Sequence, residues 1–203
     1  MTASGEAARR APLALVLASR NDHKRAEFEA MLAPHIVLGL PDSVELPPED
    51  APDFAGNALG KARAAAAALG RPVLADDSGI AAEALGGAPG VRSARFAGEH
   101  ATDEENLAKL IAEVPAGSGL AYVCALAVVL PDGTEHVVEG RCEGTMASSP
   151  AGSGGFGYDP VFLAADDPAG RTMAELRPDE KAAISHRGRA ASLLVEWLAT
   201  CSS

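Results

Sequence analysis

The 203 residues carry 17 basic against 28 acidic side chains, a formal net charge of −11, and a hydrophobic content of 47%. That much apolar material can fill a core without disulfides, while so acidic a chain lacks the cation excess that displaces counterions from a nucleic-acid polymer. Only 4% of the residues are aromatic, so close helix-on-sheet packing, an α/β class, is favoured over an aromatic-rich sandwich.

Global acidity leaves small polyphosphates open as partners, because these need only a few local cations and backbone amides. Cys124, Cys142 and Cys201 are odd in number and widely spaced, with no C-x-x-C pairing, which points to a reducing, cytoplasmic setting. Arg9 and Arg10 precede an apolar run, Leu13 to Ala18, that is too short for a signal peptide, and no run reaches membrane-spanning length. Residues 1–11 are therefore read as a disordered extension and 12–200 as a single domain with no membrane partner.

Leu13 to Ala18 reads as a buried strand, followed by a polar loop and a helix from Lys24 to Leu32 with Phe28, Met31 and Leu32 at helical spacing. A second short strand near Ile36 to Leu40 leads into a loop of prolines and acids, residues 46–53. Asp53 is the expected N-cap of an alanine-rich helix, Phe54 to Leu69, on which Lys61 lies one turn after Asn57. Pro72 to Ala75 is a third strand that should give way to a turn at Asp76-Asp77-Ser78-Gly79, with Gly86 to Gly90 a further loop. Thr102 and Glu105 form a capping box for a helix to about Glu113. Pro131-Asp132-Gly133 joins two strand-like runs, 121–130 and 134–144, into an antiparallel hairpin, so the sheet is mixed. After a glycine-rich stretch and a strand at Pro160 to Leu163, a last helix starts after Ser185 and is expected to turn Leu193, Leu194 and Trp197 toward the core.

Four constellations can carry chemistry. Ser19-Arg20-Asn21-Asp22-His23-Lys24 lies between a strand and a helix, where hydroxyl, amide and free N–H groups gather around phosphate oxygens; alone it is as well read as a solvated turn. Glu49, Asp76 and Asp77 are hard oxygen ligands suited to Mg²⁺, though an acidic pair is more often a turn device. Gly152, Gly154 and Gly157 satisfy a dinucleotide pattern, but Pro160 follows where a helix is required, so the glycines either permit a close approach to a ligand with Phe156 offering a flat face or form a flexible loop with Phe156 packed in the core. Lys181 with Ser185-His186-Arg187-Gly188 puts donors at a helix start, where Arg187 can meet a purine 6-oxo group or simply be solvated.

In this order the segments LASRNDHK (17–24), NALGKA (57–62), ADDSG (75–79), LGGAPG (85–90), SARFAG (93–98), GGFGYDPVF (154–162) and KAAISHRG (181–188) resemble the inosine triphosphate pyrophosphatase family, also called Ham1-like or RdgB-like, over about residues 13–199. The resemblance implies a mixed, elongated central sheet flanked by helices, a Ham1/Maf-like architecture, and Mg²⁺-dependent cleavage of ITP, dITP and XTP to monophosphate and pyrophosphate by a homodimer. By position it assigns Ser19 to Lys24 to the triphosphate, Asp77 to general base and metal ligand, Glu49 to the other metal carboxylate, and Ser78 to the substrate. Asp76 and Lys61 join Asp77 in the catalytic set. Phe156, Gly157, Tyr158, Asp159, Lys181, His186 and Arg187 match the nucleotide-recognition set. Ser19 stands where threonine is common, and Arg20 and His23 replace small residues. A Maf-like pyrophosphatase for other triphosphates and a sensor without turnover are the rival readings.

Overall fold

A computed structural model of the protein describes residues 12–200, and the expectation for residues 1–11 lies outside them. The elements in chain order are β1 (Ala14–Leu17), α1 (Asp22–Met31), β2 (Ile36–Leu38), α2 (Phe54–Leu69), β3 (Val73–Ala82), α3 (Asp103–Glu113), β4 (Gly119–Val129), β5 (Glu135–Met146), β6 (Phe162–Ala164), α4 (Pro178–Ile184) and α5 (His186–Thr200), with short 3₁₀ turns between several of them. The strands form one sheet in the order β2-β1-β3-β4-β5-β6. β1 is parallel to β2 and β3, and every pairing from β3 onward is antiparallel. The sheet is thus mixed, as the hairpin at Pro131–Gly133 requires.

Period-two alternation splits the apolar residues of the inner strands between two helical layers. Leu15, Leu17, Leu74, Cys124 and Leu126 pack with Phe28 of α1 and Ala190, Leu194 and Leu198 of α5. Val16, Val73, Ala75, Ala125 and Ala127 pack with Ala58, Ala62 and Ala65 of α2. A third cluster around Ile80, Tyr122, Phe162 and Leu110 closes the other end of the sheet. Leu194 is fully buried, but Leu193 is 44% exposed, because neighbouring residues of a helix lie about 100° apart and only one of the two can face the sheet.

Several boundaries follow from local chemistry. The Asp53 side chain accepts from Gly56 N, and α2 ends at Gly70 in the left-handed conformation, φ 59°. The Thr102 and Glu105 capping box opens α3. Two expectations need correction. β3 does not turn at Asp76: it stays paired with β4 from Val73 to Ala82, so both carboxylates lie inside a strand. Ser78 and Gly79 look like turn residues, but Gly79 serves a different end. A methyl there would overlap Ser93 Oγ and the Gly90 carbonyl of the 3₁₀ turn Gly90–Arg95, which lies against the strand. The strand expected from Pro160 begins at Phe162, since Asp159–Val161 forms a 3₁₀ turn.

β1 pairs with β3 only as far as Leu17 and Leu74. Beyond that point β3 is flanked by β4 on one side, while Lys24 of α1 reaches Asp76 and the Gly90–Arg95 turn takes the other edge at Ile80. α5 is pressed onto β5: a methyl on Gly140 would overlap the His186 carbonyl and the Ala190 amide, and one on Gly188 would overlap the Ala182 carbonyl at the end of α4. Gly140→Ala should therefore lower stability by about 2 kcal/mol through overpacking, roughly 4–8 °C in Tm for a domain of this size. An unchanged thermal melt would show that α5 is not seated this closely.

Candidate active site

Consecutive residues of β3 point to opposite faces of the sheet, and Asp76 and Asp77 use both. Asp76 is fully buried on the α1 and α5 side, where Lys24 Nζ lies 2.7 Å from Oδ2 and Ser78 Oγ 3.2 Å from the same oxygen. Burial pushes its carboxyl up, yet Lys24, Arg187 and Lys61 together outweigh that and hold it below the usual range. Its second oxygen, Oδ1, is buried without a partner.

Asp77 lies on the α2 side. Its Oδ2 accepts from Asn57 Nδ2 at 2.9 Å and its Oδ1 from Ser78 N at 3.0 Å. Burial raises its carboxyl to about 6; Lys61 and Asn57 pull downward, the Glu49 carboxylate pushes upward, and burial wins. Lys61 Nζ donates to Glu49 Oε1 and is itself held above its ordinary value, since Asp76, Glu49 and Asp77 overcome its own burial. Asn57 also binds the acid loop, accepting from Ala51 N at 2.9 Å. Helical spacing thus makes Asn57 and Lys61 a pair that faces Asp77 and Glu49 together.

The loop after β1 is organised by Asn21, which caps α1 by accepting from Lys24 N at 3.0 Å, and by Ser19 Oγ, which accepts from Asn21 N at 3.2 Å. First-turn amides of a helix lack intrahelical acceptors, so this loop presents free donors beside Lys24. Arg20 is turned away from these groups, donating to the Val44 carbonyl at 2.9 Å with Asp42 at 3.6 Å. Asp22 pairs with Arg25 on the surface. His23 stacks on Phe156 with ring centroids 5.5 Å apart.

On the same side of the sheet a cleft is lined by Asn21, Lys24, Ser78, Tyr122, Phe156, Gly157, Tyr158, Asp159, His186 and Arg187. Arg187 Nη2 donates to Ser78 Oγ at 2.9 Å and Nη1 to Glu27 Oε2 at 3.2 Å. Lys181 Nζ donates to the other Glu27 oxygen at 2.7 Å and to Asp159 Oδ2 at 2.8 Å. Asp159 also accepts from Phe156 N at 3.0 Å and Tyr122 Oη at 3.1 Å, which fixes the glycine-rich loop. The Arg187 guanidinium carbon lies 4.9 Å from the Phe156 ring centroid. His186 stacks on Tyr122 at 4.5 Å. Burial, reinforced by Arg187, Lys181 and Lys24, lowers its imidazole well below the ordinary range and so keeps it neutral. His186 Nδ1 and Arg187 Nε are both buried without partners.

The structure therefore brings together, from segments far apart in the chain, Lys24, Asp76, Ser78, Phe156, Asp159, Lys181, His186 and Arg187 on one face and Glu49, Lys61 and Asp77 on the other. Two members carry no signal in the sequence alone: Glu27, which bonds Arg187 and Lys181 beside the cleft, and Tyr122, which lies in a buried strand. The helix that carries Lys181 was also missed, being seven residues long behind Pro178. Among the described residues no group of three or more His, Cys, Asp or Glu side chains is arranged to hold a metal ion. The pair Glu49 and Asp77 still fits Mg²⁺, which takes one or two carboxylates and completes its shell with waters and substrate phosphates.

A family model, the Ham1 family, matches residues 15–197. The chain belongs to the Ham1 family. Among curated relatives it is 48% identical to the dITP/XTP pyrophosphatase of Streptomyces coelicolor, over 89% of this chain and 94% of that one. It is also 48% identical to the protein of the same name from Geobacillus kaustophilus, over 90% and 92%. A Ham1 protein structure from Coxiella burnetii superposes with a TM-score of 0.81 at 39% identity, covering 93% of this chain and all of that one. The dITP/XTP pyrophosphatase structure from Mycobacterium abscessus gives 0.70 at 45% identity, over 90% and 98%. The mixed sheet flanked by helices is thus the Ham1 architecture, as the sequence resemblance implied.

The raised carboxyl of Asp77 has a measurable consequence for this Ham1 protein without metal. With a folded value of about 6 against an ordinary 3.8, the folded state binds the proton more tightly than the unfolded chain. The group's contribution to stability is thus full below the unfolded value and lost as pH rises through the folded one. In chelator, Asp77→Asn should gain Tm relative to the unmodified protein as pH rises from about 4 to about 7. A difference that stays constant across this range would show that the Asp77 carboxyl is not raised.

Proposed function

We propose that this protein is a Mg²⁺-dependent pyrophosphohydrolase of deaminated purine nucleoside triphosphates, ITP, dITP and XTP, that releases the monophosphate and pyrophosphate. The observation that carries the reading is the connection through β3. A cleft of base-sized donors runs through Arg187, Ser78 and Asp76 to Lys24, and the next residue of the strand presents a raised carboxyl to Lys61 and Glu49. The names of the Streptomyces and Geobacillus relatives support the substrate class, and the family match favours this reading over the Maf-like one.

In this reading the base lies against Phe156, and Arg187 and His186 offer hydrogen bonds to its edge. A buried guanidinium N–H without an acceptor is costly, and a 6-oxo group satisfies it. The 6-amino group of adenine meets donor with donor, so ATP is disfavoured. Lys24, Ser19, Asn21 and the first amides of α1 receive the phosphates, and Lys61 adds charge on the far side. Glu49 and Asp77 would hold Mg²⁺, which when bound supplies charge neutralisation to the phosphates. Asp77 accepts the proton of the attacking water as the phosphoanhydride bond opens and pyrophosphate leaves. The Cys142 thiol is pushed up by burial to about 11, and Cys124 is raised further, so both stay protonated. Assembly as a homodimer belongs to the same reading and is open to light scattering.

Asp77→Asn should lower the rate of pyrophosphate release from ITP by about 10²–10⁴-fold with folding retained; near-normal turnover would remove Asp77 from proton transfer. Arg187→Ala should reduce the preference for ITP over ATP by roughly tenfold or more. Unchanged selectivity across a panel of ITP, XTP, dITP, GTP, ATP and dTTP would show that the base is read elsewhere.

A further inference from the structure

The acid loop that carries Glu49, residues 46–53, has no regular secondary structure. α2 holds it through Lys61 on the Glu49 side chain and Asn57 on Ala51 N. A third bond comes from outside α2: Arg95 Nη2 donates to the Glu49 carbonyl at 2.9 Å. Arg95 belongs to the 3₁₀ turn Gly90–Arg95 and, with Glu49, Asp50, Lys61 and Arg92, lines a cavity next to the acid loop. Because the guanidinium takes the backbone oxygen, it fixes the residue while leaving the Glu49 carboxylate to face Lys61.

The turn is itself immobilised from two directions. Ser93 Oγ accepts from Ile80 N at 2.8 Å and lies 2.6 Å from the Gly90 carbonyl, an approach to β3 that the bare Cα of Gly79 permits. The Ser93 carbonyl accepts from Tyr158 Oη at 2.7 Å, and Tyr158 lines the nucleotide cleft. One turn of six residues thus braces the wall of the cleft at Ser93 and the acid loop at Arg95.

We infer that Arg95 is a positioning residue that holds the Glu49 loop in register with Asp77 and Lys61, and that the turn carrying it ties this loop to the nucleotide-binding wall. The structural part stands on the hydrogen bonds alone; its consequence for Mg²⁺ rests on the functional reading of Glu49 given above. A charge-assisted bond to a carbonyl is stronger than a neutral one and is not replaced by solvent without loosening the chain.

The test is backbone hydrogen exchange in the full-length, metal-free protein. Arg95→Ala should speed exchange of the Ala51 amide, which donates to Asn57 Oδ1, by about tenfold while the amides of β4 and β5 stay unchanged. It should also raise the Mg²⁺ concentration needed for half-maximal ITP hydrolysis by a similar factor, about tenfold, with kcat at saturating Mg²⁺ little altered. Arg95→Lys retains one donor and should fall between the two; it carries the test if the alanine variant does not melt cooperatively. Unchanged exchange at Ala51, or an increase spread equally through β4 and β5, would overturn the assignment. Glu49→Ala separates the two levels: if it leaves the Mg²⁺ requirement unchanged, the cation role of Glu49 fails, while the exchange data still decide whether Arg95 holds the loop.

Discussion

Two adjacent carboxylates can share the interior of this protein because a β-strand sends neighbouring side chains to opposite faces. Asp76 and Asp77 would repel one another in a turn; inside β3 the sheet stands between them, and each meets cations from a different layer. The early end of β1 completes this arrangement by opening one edge of β3 where the α1 N-terminus can approach.

The two sides then solve the burial of charge differently. Asp76 is matched by cations strong enough to keep it ionised, whereas Asp77, with a hydrogen bond from Asn57 and Lys61 shared with Glu49, is left poised near neutrality. Loss of one partner from such a set leaves the other as a poorly compensated charge. Glu27 serves in this way for two cations at once, bridging Lys181 and Arg187 at the back of the cleft. Their guanidinium and ammonium groups are thereby aligned before any ligand arrives.

Much of this was legible from residues whose signal is local. Asp53 and Thr102 announced their helices through capping chemistry, and Pro131-Asp132-Gly133 announced the hairpin, because those effects act over three or four residues. The order of weak motifs gave the family and, with it, most of the groups that line the cleft. What escaped depended on partners remote in the chain. Ser78-Gly79 has the composition of a turn, and only the approach of Ser93 explains why glycine occupies a central strand. Arg20 sits in the loop beside the cleft but finds the Val44 carbonyl instead. Tyr122 and Glu27 act through residues 37 and 154 positions away, distances at which no periodicity speaks.

Ala58, Ala62 and Ala65 meet Ala75, Ala125 and Ala127 with methyl groups on both sides of the contact. Side chains this small let the helix axis come nearer to the sheet than leucine or isoleucine would allow. Asn57 and Lys61 ride on that helix, so methyl radii set how near these groups come to the proton-accepting carboxyl, and the Asn57 hydrogen bond then fixes the contact. Evolutionary drift toward bulkier residues on this hidden surface would shift the reactive groups without touching one of them.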